Sequence, residues 1–317
     1  MKEHSRKIAV VGAGSVGATI AYACLLRGVA RRIAMFDVDE AKVQAQALDL
    51  NHGLQFVSPA IVEGSKDPAV CAGADVIIMT AGAKQKPGQS RMELASVNAG
   101  ICRQLVPMLL RVAPEALWLM VSNPVDVLTF AALKISGLPR RRVLGSGTVL
   151  DSSRFRYLIA QRCSVAVASV HGYIVGEHGD SEVPLWSTAS IGNIPLSEWA
   201  VSGHGRLTVR DRAEIFTGVK TSAEQIIRGK GATSFAIGLS AASILDAVFE
   251  DANAVLPVSS LLENFHGLSD VCLSMPSIVN RAGVEPPLDV PMNAAEEAGL
   301  ANSAATVKGA IRALGLA

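Results

Sequence analysis

The chain has 317 residues, which at a usual domain size of about 150 residues favours two domains over one small module. Hydrophobic residues make up 50% of it and charged residues 18%, and this composition excludes a disordered protein. Because 29 lysines and arginines nearly balance 28 aspartates and glutamates, no broad positive charge favours nucleic acid or an anionic membrane as a partner.

The cysteines form an odd set of five without a C-x-x-C spacing, namely Cys24, Cys71, Cys102, Cys163 and Cys272. This pattern disfavours a disulfide framework and a structural zinc site, so we expect a cytoplasmic protein without a metal. Residues 8–26 imitate an export signal, but cleavage near Ala23 would delete the glycine motif described below. No uninterrupted apolar stretch reaches the roughly 18 residues that span a bilayer.

Short apolar segments alternate with helical-period segments in the first half of the chain. Strands are predicted at 8–12, 32–37, 75–80, 117–122 and 142–147. Nearly continuous apolar strands separated by helices of ten or more residues are typical of a parallel sheet covered on both faces. The sequence therefore predicts an α/β protein whose residues 1–147 form a doubly wound, Rossmann-type domain.

The pattern changes after Gly147. A helix is predicted from about Val149 to Arg162, and the segment GEHGDSEVPLWS at 176–187 then interrupts the alternation. Further helices are predicted at 209–228, 233–249 and 294–314, with strands near 253–262 and 271–279. Residues 148–317 are therefore expected to form a second, mixed α/β domain that carries the substrate groups.

A glycine motif follows the first predicted strand and opens a helix. It reads G-x-G-x-x-G, and the residues assigned to it are Gly12, Gly14, Val16 and Gly17. Glycines in this order allow a tight turn, a close approach of a pyrophosphate to the backbone, and close packing of helix on strand. Asp37 ends the second strand twenty residues after Gly17, where a carboxylate would bind the adenosine ribose and repel a 2′-phosphate.

This spacing indicates a dinucleotide site with NAD favoured over NADP. The alternative is a turn that serves packing alone, with Asp37 on the surface. A P-loop is excluded because Ala18, and not a lysine, lies between Gly17 and Thr19.

His178, flanked by Gly176-Glu177 and Gly179-Asp180, is the leading candidate among six histidines for moving a proton. Asp151 and Arg154 are three residues apart in the first turn of a predicted helix, so both side chains can face one site. There an acid could orient the histidine, and a guanidinium could bind a substrate carboxylate. The alternatives are an ordinary loop histidine, and a helix cap beside a surface arginine.

A polar segment at 81–91, AGAKQKPGQSR, leaves the carboxyl end of a strand, where doubly wound folds bind ligands. Its proline and glycines suit a hinged lid with Arg91 as the charged tip. An ordinary basic surface loop is the alternative.

Together these segments resemble the lactate/malate dehydrogenase family over essentially the full chain, and within it the bacterial L-lactate dehydrogenase branch. The similarity includes the glycine motif and, in the family's order, DLNHG (49–53), the 81–91 segment, SNPVD (122–126), GSGTVLDSSRFR (145–156), GEHGDSEVPLWS (176–187) and KGATSFAIG (230–238).

The resemblance implies a role for each matching residue. His178 would donate and accept the proton with Asp151 as its partner, Arg154 would anchor the substrate carboxylate, and Arg91 would polarise the carbonyl. Further positions that the resemblance assigns are Asn123 and Ser146 at the nicotinamide carboxamide, Asn123 also at the substrate, Ile237 over the ring, and Thr233 in the substrate pocket.

The implied reaction is the NADH-dependent reduction of pyruvate to L-lactate, a fermentative step of glycolysis. Gln85 corresponds to the position facing the variable end of the substrate, and its neutral side chain favours pyruvate over a dicarboxylate such as oxaloacetate. Malate or another 2-hydroxy acid remains open as substrate. A regulatory or structural NAD-binding relative also remains open, but such a protein would not need the four charged site residues together.

The resemblance also implies a homo-oligomer, with a tetramer expected over a dimer. In bacterial relatives the positions of Arg156 and His171 resemble an allosteric site where fructose 1,6-bisphosphate binds between subunits. A dianionic activator bridging two cationic patches would stabilise the assembled state. The same two residues can also serve simply as interface residues.

Overall fold

The computed structural model describes residues 6–83, 91–201 and 205–316. Six parallel strands form one half of a large sheet: β1 (Lys7–Val11), β2 (Arg32–Phe36), β3 (Ile61–Ser65), β4 (Val76–Met79), β5 (Leu117–Met120) and β6 (Val143–Gly145). Their spatial order is β3-β2-β1-β4-β5-β6, which reverses direction beside β1. Ligands of doubly wound sheets bind at the carboxyl ends of the strands at this reversal.

The described residues contain eight α-helices: α1 (Ser15–Arg27), α2 (Glu40–His52), α3 (Arg91–Val112), α4 (Val125–Ser136), α5 (Val149–Cys163), α6 (Val209–Lys230), α7 (Phe235–Phe249) and α8 (Ala294–Ala313). One apolar core joins α1, α2 and α7 to one face of the parallel strands, and a second joins α3 and α4 to the opposite face. Since both faces are covered, the central strands are apolar throughout; all five residues of β1 are buried.

The second half of the chain begins with short strands: β7 (Val170–His171), β8 (Ile174–Val175), β9 (Val183–Pro184), β10 (Ser190–Ile191), β11 (Ile194–Pro195), β12 (Ala200–Val201) and β13 (Gly205–Arg206). Three longer antiparallel strands follow: β14 (Ala254–Leu262), β15 (Val271–Asn280) and β16 (Gly283–Pro287). Ser259 of β14 pairs with Gly145 of β6, so these strands extend the parallel sheet to nine strands.

The predicted fold class is confirmed. The predicted strands of the first half each match an observed strand to within about three residues at either end, and helix α5 begins at the predicted Val149. Among the nine strands of the large sheet, β3 and β16 were not predicted. Glu63 and Gly64 in β3 and Pro286 and Pro287 in β16 are residues that strands disfavour, and both strands lie at the edges of the sheet, where such residues are tolerated.

All five cysteines are buried and free. Within the described ranges no helix is long and apolar enough to cross a membrane. The same residues contain no group of three or more histidine, cysteine, aspartate or glutamate side chains that could hold a metal ion.

Candidate active site

The glycine motif forms the turn between β1 and α1. Gly12 has a left-handed backbone with φ of +103°, which favours glycine. A Cβ atom on Gly17 would lie 1.9 Å from the carbonyl oxygen of Gly12, so only glycine allows α1 to approach the turn this closely. A Cβ on Gly14, the residue that precedes α1, would meet no atom within 4 Å. The turn therefore leaves open space at a helix N-terminus, as pyrophosphate binding requires.

Asp37 lies at the end of β2 beside this turn. Its Oδ2 accepts a hydrogen bond from the Ala13 amide at 2.6 Å, and its Oδ1 accepts one from the Asp39 amide at 3.0 Å. Partial burial raises the pKa of Asp37, but these two hydrogen bonds and the charge of Lys42 outweigh burial and bring it below its usual value. A fixed, ionised carboxylate thus lies beside the glycine turn, as the prediction of a ribose-binding residue requires.

Replacing Asp37 with serine should narrow the preference for NADH over NADPH, because the carboxylate that repels a 2′-phosphate is gone. The ratio of kcat/KM for the two cofactors should fall by about tenfold or more. Asp39→Ser is the matched control, since Asp39 is an exposed carboxylate whose capping of Lys42 a serine can replace. A ratio unchanged in Asp37→Ser would remove Asp37 from cofactor selection.

The predicted nicotinamide residues follow neighbouring strands at the same edge of the sheet. Asn123 is exposed after β5, and Ser146 is buried directly after β6. The Asn98 side chain donates to the Asn123 carbonyl at 2.7 Å and accepts from the Ala83 amide at 2.7 Å. Ile237 lies in α7 and packs against the same core as α1. Asn98, which connects the segments of Ala83 and Asn123, was not predicted. Its only signal in the sequence is a polar amide on the apolar side of an amphipathic helix.

The three central candidates meet in one hydrogen-bonded chain. Oδ2 of Asp151 lies 2.5 Å from Nδ1 of His178, and its Oδ1 accepts from Nη1 of Arg154 at 2.7 Å. The Asp151 side chain is 3% exposed, whereas those of Arg154 and His178 are 12% and 26% exposed. A buried carboxylate therefore holds two cationic groups that are both more exposed than the carboxylate itself.

The charge of Asp151 raises the pKa of His178 to about 9, more than burial lowers it. Burial raises the pKa of Asp151 itself, but the charges and hydrogen bonds of His178 and Arg154 reverse this effect and keep it below its ordinary value. At neutral pH the pair is therefore an imidazolium and a carboxylate. Since Nδ1 faces Asp151, Nε2 is the ring nitrogen that can give a proton to a ligand.

Two buried acids near His178 were not predicted. Asp126 accepts a hydrogen bond from the His178 amide at 2.7 Å, and Glu182 is 7% exposed with a buried Oε1 that has no partner among the described residues. Burial, followed by the charge of Asp151, raises the pKa of Glu182 to about 8. Both lie inside motifs quoted above, but nothing in the local sequence distinguishes them from surface acids.

The remaining predicted residues are Thr233, Arg91, Gln85, Arg156 and His171. Thr233 is half-buried just before α7, and Arg91 is the first residue of α3. The position of Gln85 and the side chain of Arg91 lie outside the described part of the chain. Arg156 donates from Nε to the Gly172 carbonyl at 2.9 Å, next to His171, which is exposed in β7. The structure therefore brings the two predicted allosteric residues close to each other.

A glycine turn with an adjoining carboxylate, and a histidine–aspartate pair, are the two parts expected of the site of an NAD-dependent oxidoreductase. Family models match almost the whole chain: the NAD binding domain of lactate/malate dehydrogenase at residues 6–145 and its alpha/beta C-terminal domain at 148–314. The chain belongs to the lactate/malate dehydrogenase family.

Similar proteins agree with this assignment. The L-lactate dehydrogenase of Bifidobacterium animalis subsp. lactis is 50% identical over 303 residues, 95% of each chain. That of Thermoanaerobacter sp. is 44% identical over 309 residues, covering 97% of this chain and 99% of the relative. A ligand-bound crystal structure of the minor L-lactate dehydrogenase from Enterococcus mundtii superposes with a TM-score of 0.93 at 40% identity, over 97% of this chain and 98% of that one.

Proposed function

We propose that the protein catalyses the reversible, NADH-dependent reduction of pyruvate to L-lactate. The observation that carries this proposal is the placement of His178 and Arg154 on the two oxygens of one buried carboxylate, Asp151, at 2.5 and 2.7 Å. One group can move a proton and the other can bind a carboxylate, and the two together match the needs of a 2-keto acid. The L-lactate dehydrogenases among its relatives support the same reaction.

Bound NADH would supply the hydride for the keto carbon. The residues that would hold this cofactor along the edge of the sheet are Gly14, Asp37, Asn123 and Ser146. His178 gives the proton on Nε2 to the carbonyl oxygen, and Asp151 stabilises its imidazolium until that moment. Arg154 fixes the substrate through its carboxylate, because Asp151 orients the guanidinium from behind. In the reverse direction neutral His178 accepts the hydroxyl proton of lactate at the same nitrogen.

The direct test follows NADH absorbance with the purified protein and either pyruvate or oxaloacetate. We expect turnover with pyruvate at a kcat/KM that exceeds the value for oxaloacetate. Preferential turnover of oxaloacetate would make the protein a malate dehydrogenase of the same family. Cofactor binding without turnover of any 2-keto acid would identify a regulatory or structural relative.

Substrate choice depends in this proposal on Gln85, together with Arg91 as the residue that polarises the carbonyl. Gln85→Arg should raise kcat/KM for oxaloacetate relative to pyruvate by about a hundredfold or more, because a buried second carboxylate requires a cation. Measuring both substrates with both proteins gives the ratio directly. Lys84→Arg adds no charge one residue away and serves as the control. An unchanged ratio in Gln85→Arg would exclude Gln85 from specificity.

We also propose that the chain forms a homo-oligomer. Several large apolar side chains are exposed on the helices that cover one face of the sheet: Tyr22, Leu26, Leu48, Phe235 and Leu239. Phe235 is 72% exposed and Leu239 52%, one turn apart on α7, which packs beside α1. Apolar surface of this kind is typical of an interface between subunits. Light scattering should give a dimer or a tetramer, with the tetramer as our expectation.

Arg156 and His171 support the further proposal that fructose 1,6-bisphosphate activates the enzyme. Arg156 is partly buried and stacked over Tyr173 at 5.1 Å, while His171 is exposed on the neighbouring strand. Pyruvate saturation at low enzyme concentration, with and without the bisphosphate at pH 7 and at mildly acidic pH, tests this role. If neither KM nor oligomer size responds at either pH, the two residues serve the interface alone.

The division into domains at 1–147 and 148–317 and a cytoplasmic location remain part of this proposal. Free, buried cysteines suit a reducing compartment, and burial raises the pKa of the Cys71 and Cys102 thiols to about 12.

A further inference from the structure

Asp126 is a buried acid in the first turn of α4, three residues after Asn123. Its residue exposure is 2%, and both carboxylate oxygens have partners. Oδ2 accepts the amide hydrogen of His178 at 2.7 Å, and Oδ1 accepts the hydroxyl hydrogen of Ser259 at 2.6 Å. The backbone of His178 is thus hydrogen-bonded to α4. This helix follows the cofactor edge of the sheet, which is the edge where Asn123 and Ser146 follow β5 and β6.

The second partner links Asp126 to another part of the cofactor edge. Ser259 is fully buried in β14 and pairs with Gly145 of β6, the residue before Ser146. One carboxylate therefore joins helix α4 after β5, strand β14 beside β6, and the loop that contains His178. These are the three segments whose relative positions determine where the nicotinamide and the proton donor meet.

The carboxylate also has an electrostatic effect. Burial raises the pKa of Asp126 to about 6, while the hydrogen bonds from Ser259 and His178 and the charge of His178 oppose that rise. Asp126 is accordingly ionised above about pH 6, and its position at a helix N-terminus favours the anion. Its charge in turn favours the protonated form of His178, after the larger effect of Asp151.

We propose that Asp126 is a positioning residue that fixes the His178 backbone against the cofactor edge and places a second buried negative charge beside the imidazole. The proposal rests on the proposed function, in which His178 moves the proton. A carboxylate used only for packing would be expensive here, since burying a charge costs several kcal/mol unless its interactions compensate. In this proposal the buried charge of Asp126 serves to fix the backbone of His178 and to favour its protonated form.

Other charged groups also act on His178, and the test must separate their effects from that of Asp126. Asp151 from α5 and Glu182 from the loop of His178 act on the imidazole directly. Arg154 from α5, Glu177 from the same loop and Lys220 from α6 act on the acids around it. None of these is altered by a substitution at Asp126. A shift seen in an Asp126 variant can therefore be assigned to the loss of this carboxylate.

Asp126→Asn is the informative variant because it removes the charge and preserves the shape. Its carbonyl oxygen can accept from the His178 amide, while its NH2 group donates to Ser259, whose hydroxyl can turn to accept. We expect NADH affinity within about twofold of the unmodified protein. The apparent pKa of the alkaline limb of kcat/KM for pyruvate should fall by about one unit, since a neighbouring negative charge has been lost.

Histidine chemical shifts provide a measurement that does not depend on turnover. In the NADH complex of protein labelled at its histidines, the His178 ring should titrate about one unit lower in Asp126→Asn. Asp211→Asn is the matched control, because Asp211 is a buried acid in the first turn of α6 that is paired with Arg162 and does not perturb His178. It should leave both titrations unchanged.

Asp126→Ala removes position and charge together, so kcat should fall further than in Asp126→Asn, by about tenfold or more. If Asp126→Asn fails to fold, Ser259→Ala tests the same carboxylate by removing one of its hydrogen bonds and should move the alkaline limb in the same direction by less. The proposal would be overturned if these variants matched the unmodified protein both in the alkaline limb of kcat/KM and in the titration of His178. His178→Asn separates the two ideas: normal turnover there would refute His178 as the proton donor, not the placement of Asp126.

Discussion

Replacing His178 with asparagine should lower kcat/KM for pyruvate reduction by about 10²–10⁴-fold, the range that positioned proton transfer contributes. NADH affinity should stay within about threefold, because the cofactor residues lie on other segments of the sheet edge. Stopped-flow measurement of pyruvate reduction, together with NADH fluorescence titration, checks both expectations. The loss should appear in kcat as well as in kcat/KM, since the proton moves only in the transition state.

His266→Asn is a matched control for this substitution. His266 also pairs with an aspartate, Asp289, at 3.0 Å, but the pair is on the surface and away from the sheet edge. Its replacement should leave turnover unchanged. Near-normal turnover in His178→Asn would refute the assignment of the proton donor, whatever the control shows.

The direction of the pH dependence follows from the raised pKa of His178. Reduction of pyruvate needs the imidazolium, which is populated below about pH 9 and lost above it. Oxidation of lactate needs the neutral ring, so its rate should rise with pH through the same range. The two directions should consequently have opposite limbs governed by one group.

The sequence predicted the parts of the fold that depend on local pattern. Strand β1 is buried at every position and reads as an apolar run, and Gly12 and Gly17 reveal their strained, close-packed turn by type and spacing. Strand β3 could not be predicted in this way because it has an exposed glutamate and a glycine. Gly64 is required there, since a Cβ would lie 2.5 Å from the carbonyl oxygen of Val43 in α2.

Some residues of the site could likewise be predicted from the sequence, and others could not. His178, Asp151 and Arg154 could be predicted from the sequence because they lie in motifs whose order in the chain resembles a known family. The structure places the three residues in contact. The role of Asp126 could not be predicted from the sequence, because its partners His178 and Ser259 are 52 and 133 residues away in the chain. No periodicity or spacing rule connects residues so distant. The pairing of β14 with β6 positions Ser259, and the bridge between Gly176 and Ser274 of β15 positions the loop of His178.

Asp151→Asn should be the second most damaging substitution, because one carboxylate serves two groups. An asparagine can offer its oxygen to His178 or to Arg154, but its NH2 group then faces the other partner as a donor facing a donor. We expect kcat/KM for pyruvate to fall by about 10²-fold or more at pH 8, with KM raised as well as kcat lowered. Steady-state kinetics across pH 6–9.5 measure both effects.

The pH profile distinguishes this loss from simple damage to the fold. Since Asp151 is the largest cause of the raised His178 pKa of about 9, its neutralisation should move the alkaline limb toward the ordinary histidine value of 6.5. The defect should therefore be smaller at pH 6 than at pH 8.5, because low pH restores the imidazolium that the lost carboxylate no longer stabilises. Asp289→Asn, which removes the carboxylate from the surface pair with His266, should leave the limb in place. An alkaline limb that stays near pH 9 in Asp151→Asn would show that another group, with Asp126 and Glu182 the nearest acids, keeps His178 protonated, and Asp151 would then act on the substrate through Arg154 alone.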